Sequence, residues 1–206
     1  MSIVKLNNQG VKNATAFGSI SSLGSMVFIK KLTASSSSTL SFVDGSSSVV
    51  LDNTYKEYLF TFKNIHPGTN QAEFSFNGSI DAGSNYNVAK TTTVFTAEHR
   101  EDGSGGGLSY YTDKDLAQGT GFQPLARETG DDNDLAASGY LHLFNPSSTT
   151  FVKHFIYTGS SLNSGDYLSH DFVAGYFNTT SAVDAIQFKM ESGNIDAGDI
   201  CLYGIA

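Results

Sequence analysis

The segment YKEYLFTFKNI, residues 55–65, sets Tyr58, Phe60 and Phe62 on one side of an extended chain and Glu57, Thr61 and Lys63 on the other. Successive side chains of a strand point to opposite faces, so this period of two describes a strand with one buried and one wet face. The pattern recurs along the chain. MVFIKKL and TLSFV precede it, AEFSFNGSI aligns Phe74, Phe76 and Ile80, and NYNVAKTTTVFTAEH forms a long β-branched run. YLHLF, FVKHFIYT, FVAGYF, AVDAIQFKM and DICLYGI follow. Turn chemistry separates them: HPGTN with Pro67, DGSSS, the glycine-rich REDGSGGG of residues 100–107, and NPSS. About ten strands at roughly ten-residue spacing, with no helical period, predict an all-β fold, an antiparallel β-sandwich of jelly-roll-like form.

AVDAIQFKM and DICLYGI flank ESGNIDAG, whose small and turn-forming residues predict an antiparallel hairpin between them. Ile186, Phe188 and Met190 share one face of the first strand. The second offers the core either Ile200 and Leu202 or, with the register flipped, Cys201, Tyr203 and Ile205. Residues 26–206 read as a single domain. Residues 1–25 show no sustained period and carry isolated apolar anchors, Ile3, Val4, Leu6, Val11, Phe17, Ile20 and Leu23. They read as an extended N-terminal docking arm, with an ordinary first strand and loop as the alternative. The longest irregular stretch, 113–138, holds Pro124 and ETGDDND, and a loop of that length is expected to serve function or an interface.

Charged residues make up only 16% of the chain, and its net charge is −8. Tracking a phosphate backbone needs clustered Lys and Arg, so no nucleic-acid partner is expected. The single cysteine, Cys201, excludes an intrachain disulfide and a multi-cysteine metal site; in an alternating strand it reads as a small core residue. No apolar run is long enough for a spanning helix, so no membrane insertion is expected. The start MSIVKLNNQG lacks the apolar core of a secretion signal, which predicts a protein that stays inside its cell or leaves it by lysis.

The candidate chemistry is sparse. His66, His99, His142, His154 and His170 show no metal-binding spacing, although His142 and His154 fall in neighbouring strands where a cross-strand pair is open. AEHRED (97–102) reads as a charged turn. GDDND (130–134) supplies the oxygen ligands calcium prefers without the spacing of a calcium-binding loop, so it reads as an exposed acidic loop. Tyr110 and Tyr111, with Asp131, Asp132 and Asp134, form a candidate ligand loop, because tyrosines near strand ends serve stacking and interfaces. No nucleophile elbow or phosphate loop occurs. No catalytic, cofactor-binding or metal-ligating residue is assigned, and no cofactor is expected.

Several stretches carry a resemblance: MSIVKLNNQGVKNATAFGSISSLG, TLSFVDG, YKEYLFTFKNIHP, LHLFNPSSTTFVKHF and VAGYFNTTSAVDAIQFKMESGNIDAGDICLYGI. They resemble a family of virion structural proteins of tailed phages, marine cyanophages above all. The resemblance implies a non-enzymatic component of the assembled particle, an accessory protein displayed as capsid decoration or on the tail or baseplate. It implies assembly in the host cytoplasm and release by lysis. The expected partners are other virion proteins and the chain itself, as a homotrimer. The alternative is a glycan-binding module at a tail-fibre tip that meets a host surface glycan. A third reading is a polysaccharide-degrading enzyme, which would need a facing carboxylate pair.

Overall fold

A computed structural model describes residues 26–206. The candidate docking anchors Ile3, Val4, Leu6, Val11, Phe17, Ile20 and Leu23 lie outside the described residues. Twelve strands follow one another: β1 (Met26–Thr33), β2 (Leu40–Val43), β3 (Glu57–Pro67), β4 (Ala72–Ser79), β5 (Lys90–Arg100) and β6 (Gly106–Tyr110), then β7 (Gln123–Thr129), β8 (Ala137–Phe144), β9 (Lys153–Leu162), β10 (Tyr167–Phe177), β11 (Ala185–Met190) and β12 (Ile195–Ile205). All neighbours pair antiparallel. There is no helix among the described residues.

The strands form a sheet of eight, in the order β1-β12-β3-β8-β9-β10-β5-β6, and a sheet of four, β2-β11-β4-β7. The first four strands of the large sheet and the four of the small sheet each draw on both halves of the chain. That interleaving is the jelly-roll arrangement. The excursions β5–β6 and β9–β10 add four strands to one edge of it. The sandwich expected from the alternation is present, with twelve strands instead of about ten.

Phenylalanine joins the two layers. Phe188 on β11 of the small sheet lies 5.1 Å from Phe62 and 5.3 Å from Phe60 on β3 of the large sheet, between ring centres. It also stacks on Phe74 at 5.7 Å and meets Phe42 at 6.2 Å. Edge-to-face and offset contacts at these distances favour the ring quadrupoles beyond the area they bury. Tyr58, Phe60 and Phe62 are buried as their alternation requires, and so are Ile186, Met190, Ile200 and Leu202. Near the end of β3 and the start of β12 the register shifts on both strands. Gly198 sits there with φ of 122°, where an added Cβ would lie 2.6 Å from the Asn64 carbonyl oxygen. Only glycine tolerates both that backbone and that approach.

Four sequence expectations are corrected. β11 and β12 are not a hairpin: β11 pairs with β2 and β4, whereas β12 pairs with β1 and β3, so ESGNIDAG carries the chain between sheets. The stretch 113–138 is not irregular throughout, since β7 occupies Gln123–Thr129. Its alternation is hidden because most of its residues are buried, including Arg127. Ile80 lies past the end of β4 and is exposed, so it does not share the face of Phe74 and Phe76. Cys201 points away from the core beside Ile200 and Leu202 and is half-buried.

Replacing Phe188 with alanine removes contacts to both sheets and is expected to cost about 3–5 kcal/mol of unfolding free energy in urea. The equally large but exposed Phe151 serves as control, and its alanine variant is expected to change stability by less than about 1 kcal/mol.

Candidate functional site

Strands β8, β9, β10, β5 and β6 share an outward face with an unusual composition. Tyr140 and His142 on β8 alternate with buried Leu141 and Leu143. Ile156 and Thr158 on β9, His170 and Phe172 on β10, and Phe95 and Ala97 on β5 continue the same side. The register aligns Tyr140, Thr158, Phe172, Phe95 and Tyr110 in one row across the five strands. Phe95 and Phe172 stack at 4.6 Å and 9°. Tyr110 is 54% exposed, Ile156 and Leu168 are 50%, and Leu108 is 71%. No outward position of these strands is Asp, Glu, Lys or Arg. Of the chain's five histidines, His99, His142, His154 and His170 lie on this face and His66 does not. Hydroxyls and glycine backbone line a shallow hollow between Ser138, Tyr140, Ser160 and His170.

The inward side of the same strands sets charges among buried apolar residues. Lys90, Glu98, Lys153 and Asp171 alternate with the outward residues just named. Among the described residues the small sheet has no strand beyond β7, which overlies β9 and β10. Loop 112–122 covers the rest. Its backbone bonds to β5 beyond the end of β6: the Thr92 N–H donates to the Leu116 carbonyl at 2.9 Å, and Lys90 and Gly119 exchange bonds at 2.9 and 3.0 Å. Phe155, Tyr157, Val173 and Phe177 on this inner side join the core, where Phe76 of β4 meets Phe155 at 4.9 Å and Phe177 at 5.9 Å. Where the loop takes over, its carbonyl groups can satisfy polar side chains.

Asp171 is fully buried. The Thr96 hydroxyl donates to its Oδ1 at 2.6 Å and the Arg127 backbone N–H to its Oδ2 at 3.1 Å. Burial nevertheless pushes its carboxyl up to about 6, because desolvation of the anion outweighs those two donors. The Arg127 guanidinium lies 3.5 Å over the Tyr111 ring and donates to Glu98 Oε1 at 3.1 Å. Tyr111 donates its hydroxyl to the same oxygen at 3.3 Å. Lys90, also fully buried, donates to the Val88 carbonyl at 3.1 Å and the Gly121 carbonyl at 2.6 Å. Burial lowers its ammonium to about 7. Two acceptors suit the two N–H bonds of a neutral amine. Lys153 donates to the Thr179 carbonyl at 2.9 Å and is lowered by burial as well.

The candidate ligand loop is distributed over three settings. Tyr110 lies on the outer face and donates to Asp115 at 2.5 Å. Tyr111, its neighbour in sequence, turns to the inner side and packs under Arg127. Asp131, Asp132 and Asp134 are exposed in the loop after β7, where the Gly130 N–H reaches the Leu162 carbonyl beside the β9–β10 turn. No group of three or more His, Cys, Asp or Glu is placed to hold a metal among the described residues. His142 and His154 are not paired: the register sets His142 opposite Ile156, and His142 Nδ1 meets the Glu57 carboxylate. The outer face and the buried charges beneath it escape a reading of motifs, because neither has a spacing signature. The available signal was FVKHFIYT, in which both alternating sets are largely apolar. Comparison with protein-family models, with curated proteins and with solved structures gives no match.

The pH response separates the two buried groups. Between 3.8 and about 6 the folded chain holds the Asp171 proton more tightly than the unfolded chain does, so stability falls as pH rises through that window. Between about 7 and 10.5 the unfolded chain holds the Lys90 proton more tightly, so stability rises with pH there. Asp171→Asn keeps an acceptor for Arg127 and a donor for Thr96 and is expected to flatten only the acid slope. Lys90→Met is expected to flatten only the alkaline one. Urea midpoints measured from pH 4 to 10 test both.

Proposed function

We propose that this chain is a non-enzymatic structural component of a tailed-phage virion, an accessory subunit docked on the particle. The observation that supports the reading is the outer face of β8, β9, β10, β5 and β6, which is aromatic and free of charge. A sheet face evolved only to meet water carries charge outward. Here Lys90, Glu98, Lys153 and Asp171 point in, among core residues such as Phe155 and Val173, while Phe95, Tyr140, Ile156, Leu168 and Phe172 point out. A contiguous apolar patch with a polar rim is a contact surface. The resemblance of the chain to phage virion proteins supplies the kind of assembly in which such a surface is used.

Recognition of a glycan draws less support. Sugar hydroxyls are gripped by carboxylate and amide side chains that bond them in pairs, beside a stacking aromatic ring. The outward strand positions hold aromatic rings without those groups. At one rim, Gln118 bonds Thr91 at 2.6 Å and also Asn178, so both amides are already engaged.

Mass spectrometry of gradient-purified particles of the phage that encodes the chain provides the test. The expected result is a fixed copy number per particle that survives a salt wash. Abundance in the lysate with none in intact particles overturns the reading, and binding across a host-glycan array favours the receptor-recognition alternative.

A further inference from the structure

We propose that the outward face of β8, β9, β10, β5 and β6 is where two copies of this chain pack back to back, and that acid loosens the contact. Area is the first argument. Five strands spaced about 4.8 Å apart, with roughly ten residues at about 3.3 Å each, span a face on the order of 700 Å². Stable interfaces of standard size cover roughly 600–1,000 Å² on each partner, so the face falls within that range.

Charge is the second argument. The chain carries −8, so two copies repel wherever their carboxylates oppose. This face has none to oppose, whereas a partner of opposite charge would find nothing on it to recognise. What complements an uncharged aromatic row of this size is a second such row. A twofold axis near Phe172 superposes the face on itself, as an isologous contact requires. The stacked pair Phe95 and Phe172 then lies at the desolvated centre, where aromatic residues contribute most.

The histidines make the contact sensitive to pH, because imidazole is the side chain that ordinarily gains its charge between pH 8 and 5. The groups facing each are known. His142 meets Glu57 from β3. His99 lies near Asp102 in the β5–β6 turn. His154 meets the Tyr176 ring at 5.8 Å, and His170 exchanges a 2.8 Å bond with the Thr158 hydroxyl beside the Phe172 ring. Asp115 at the rim is held by Tyr110. Protonated His142 and His99 thus have carboxylates near them, but His154 and His170 have none. In the pair, acid places their unneutralised charges in a desolvated contact, facing like charges from the other copy.

The inference holds whether or not the chain belongs to a virion, and it is read in solution. Sedimentation equilibrium of the full chain at pH 7.5 is expected to give a species of twice the 22.0 kDa chain mass. Ile156→Glu and Leu168→Lys, at half-exposed positions of the face, are each expected to weaken association about a hundredfold. Ile80→Glu, exposed elsewhere, leaves it unchanged. Two face variants at separate positions keep the test usable should one misfold, and the thermal midpoint of each identifies that case. Moving the wild type to pH 5 is expected to weaken association about tenfold, and His154→Gln with His170→Gln removes most of that loss. A monomer at about 100 μM, or association untouched by both face variants, overturns the contact. Association as tight at pH 5 as at pH 7.5 overturns the acid response.

Discussion

Four strands cannot cover eight, and this mismatch decides the character of both faces of the larger sheet. Over β1, β12, β3 and β8 the small sheet supplies an apolar ceiling, and the core is built there from Phe42, Phe60, Phe62, Phe74 and Phe188. Beyond β8 the ceiling is β7 and then a loop, which brings backbone carbonyls and N–H groups against the sheet. An apolar inner face would leave those groups unpaired, at the cost of their desolvation. Lysine, threonine and aspartate therefore stand at inner positions beside the apolar Val94, Phe155, Tyr157, Val173 and Phe177. The same strands carry apolar residues on the outside as well.

The buried charges follow from that geometry. Lys90 and Lys153 have carbonyl partners and no carboxylate, so burial favours their neutral amines. Asp171 has two donors and a raised carboxyl, in contact through the Arg127 backbone with a stacked guanidinium. Each group ties an inserted strand to its cover: Lys90 to loop 121, Lys153 to loop 179, Asp171 to β7.

Much of the class of fold was legible in the chain. Tyr58, Phe60 and Phe62 alternate against Glu57, Thr61 and Lys63 because β3 has one face on the core and one outside, and that contrast is written locally. β7 was not legible, because QPLARET has burial on most positions and includes a proline and an arginine that only a special environment accepts. The closing turn misled for a different reason. ESGNIDAG has the residues of a tight connection, and nothing local distinguishes a chain that returns beside its last strand from one that crosses to the opposite sheet. The outer face was hidden in the same way: FVKHFIYT shows two semi-apolar sets, His154, Ile156 and Thr158 against Phe155 and Tyr157, without saying which is inside.

By itself the sequence determined that the chain forms antiparallel strands, roughly where they start and stop, and that aromatic rings build the core. These are consequences of the two-residue repeat of an extended backbone and of turn residues, and both act over a few positions. Tertiary structure alone decided which strands are neighbours, that β11 and β12 part company, and which side of the inserted strands meets water. Those depend on groups far apart in the chain, on where the small sheet ends and on which loop closes over the remainder, and no local period encodes them.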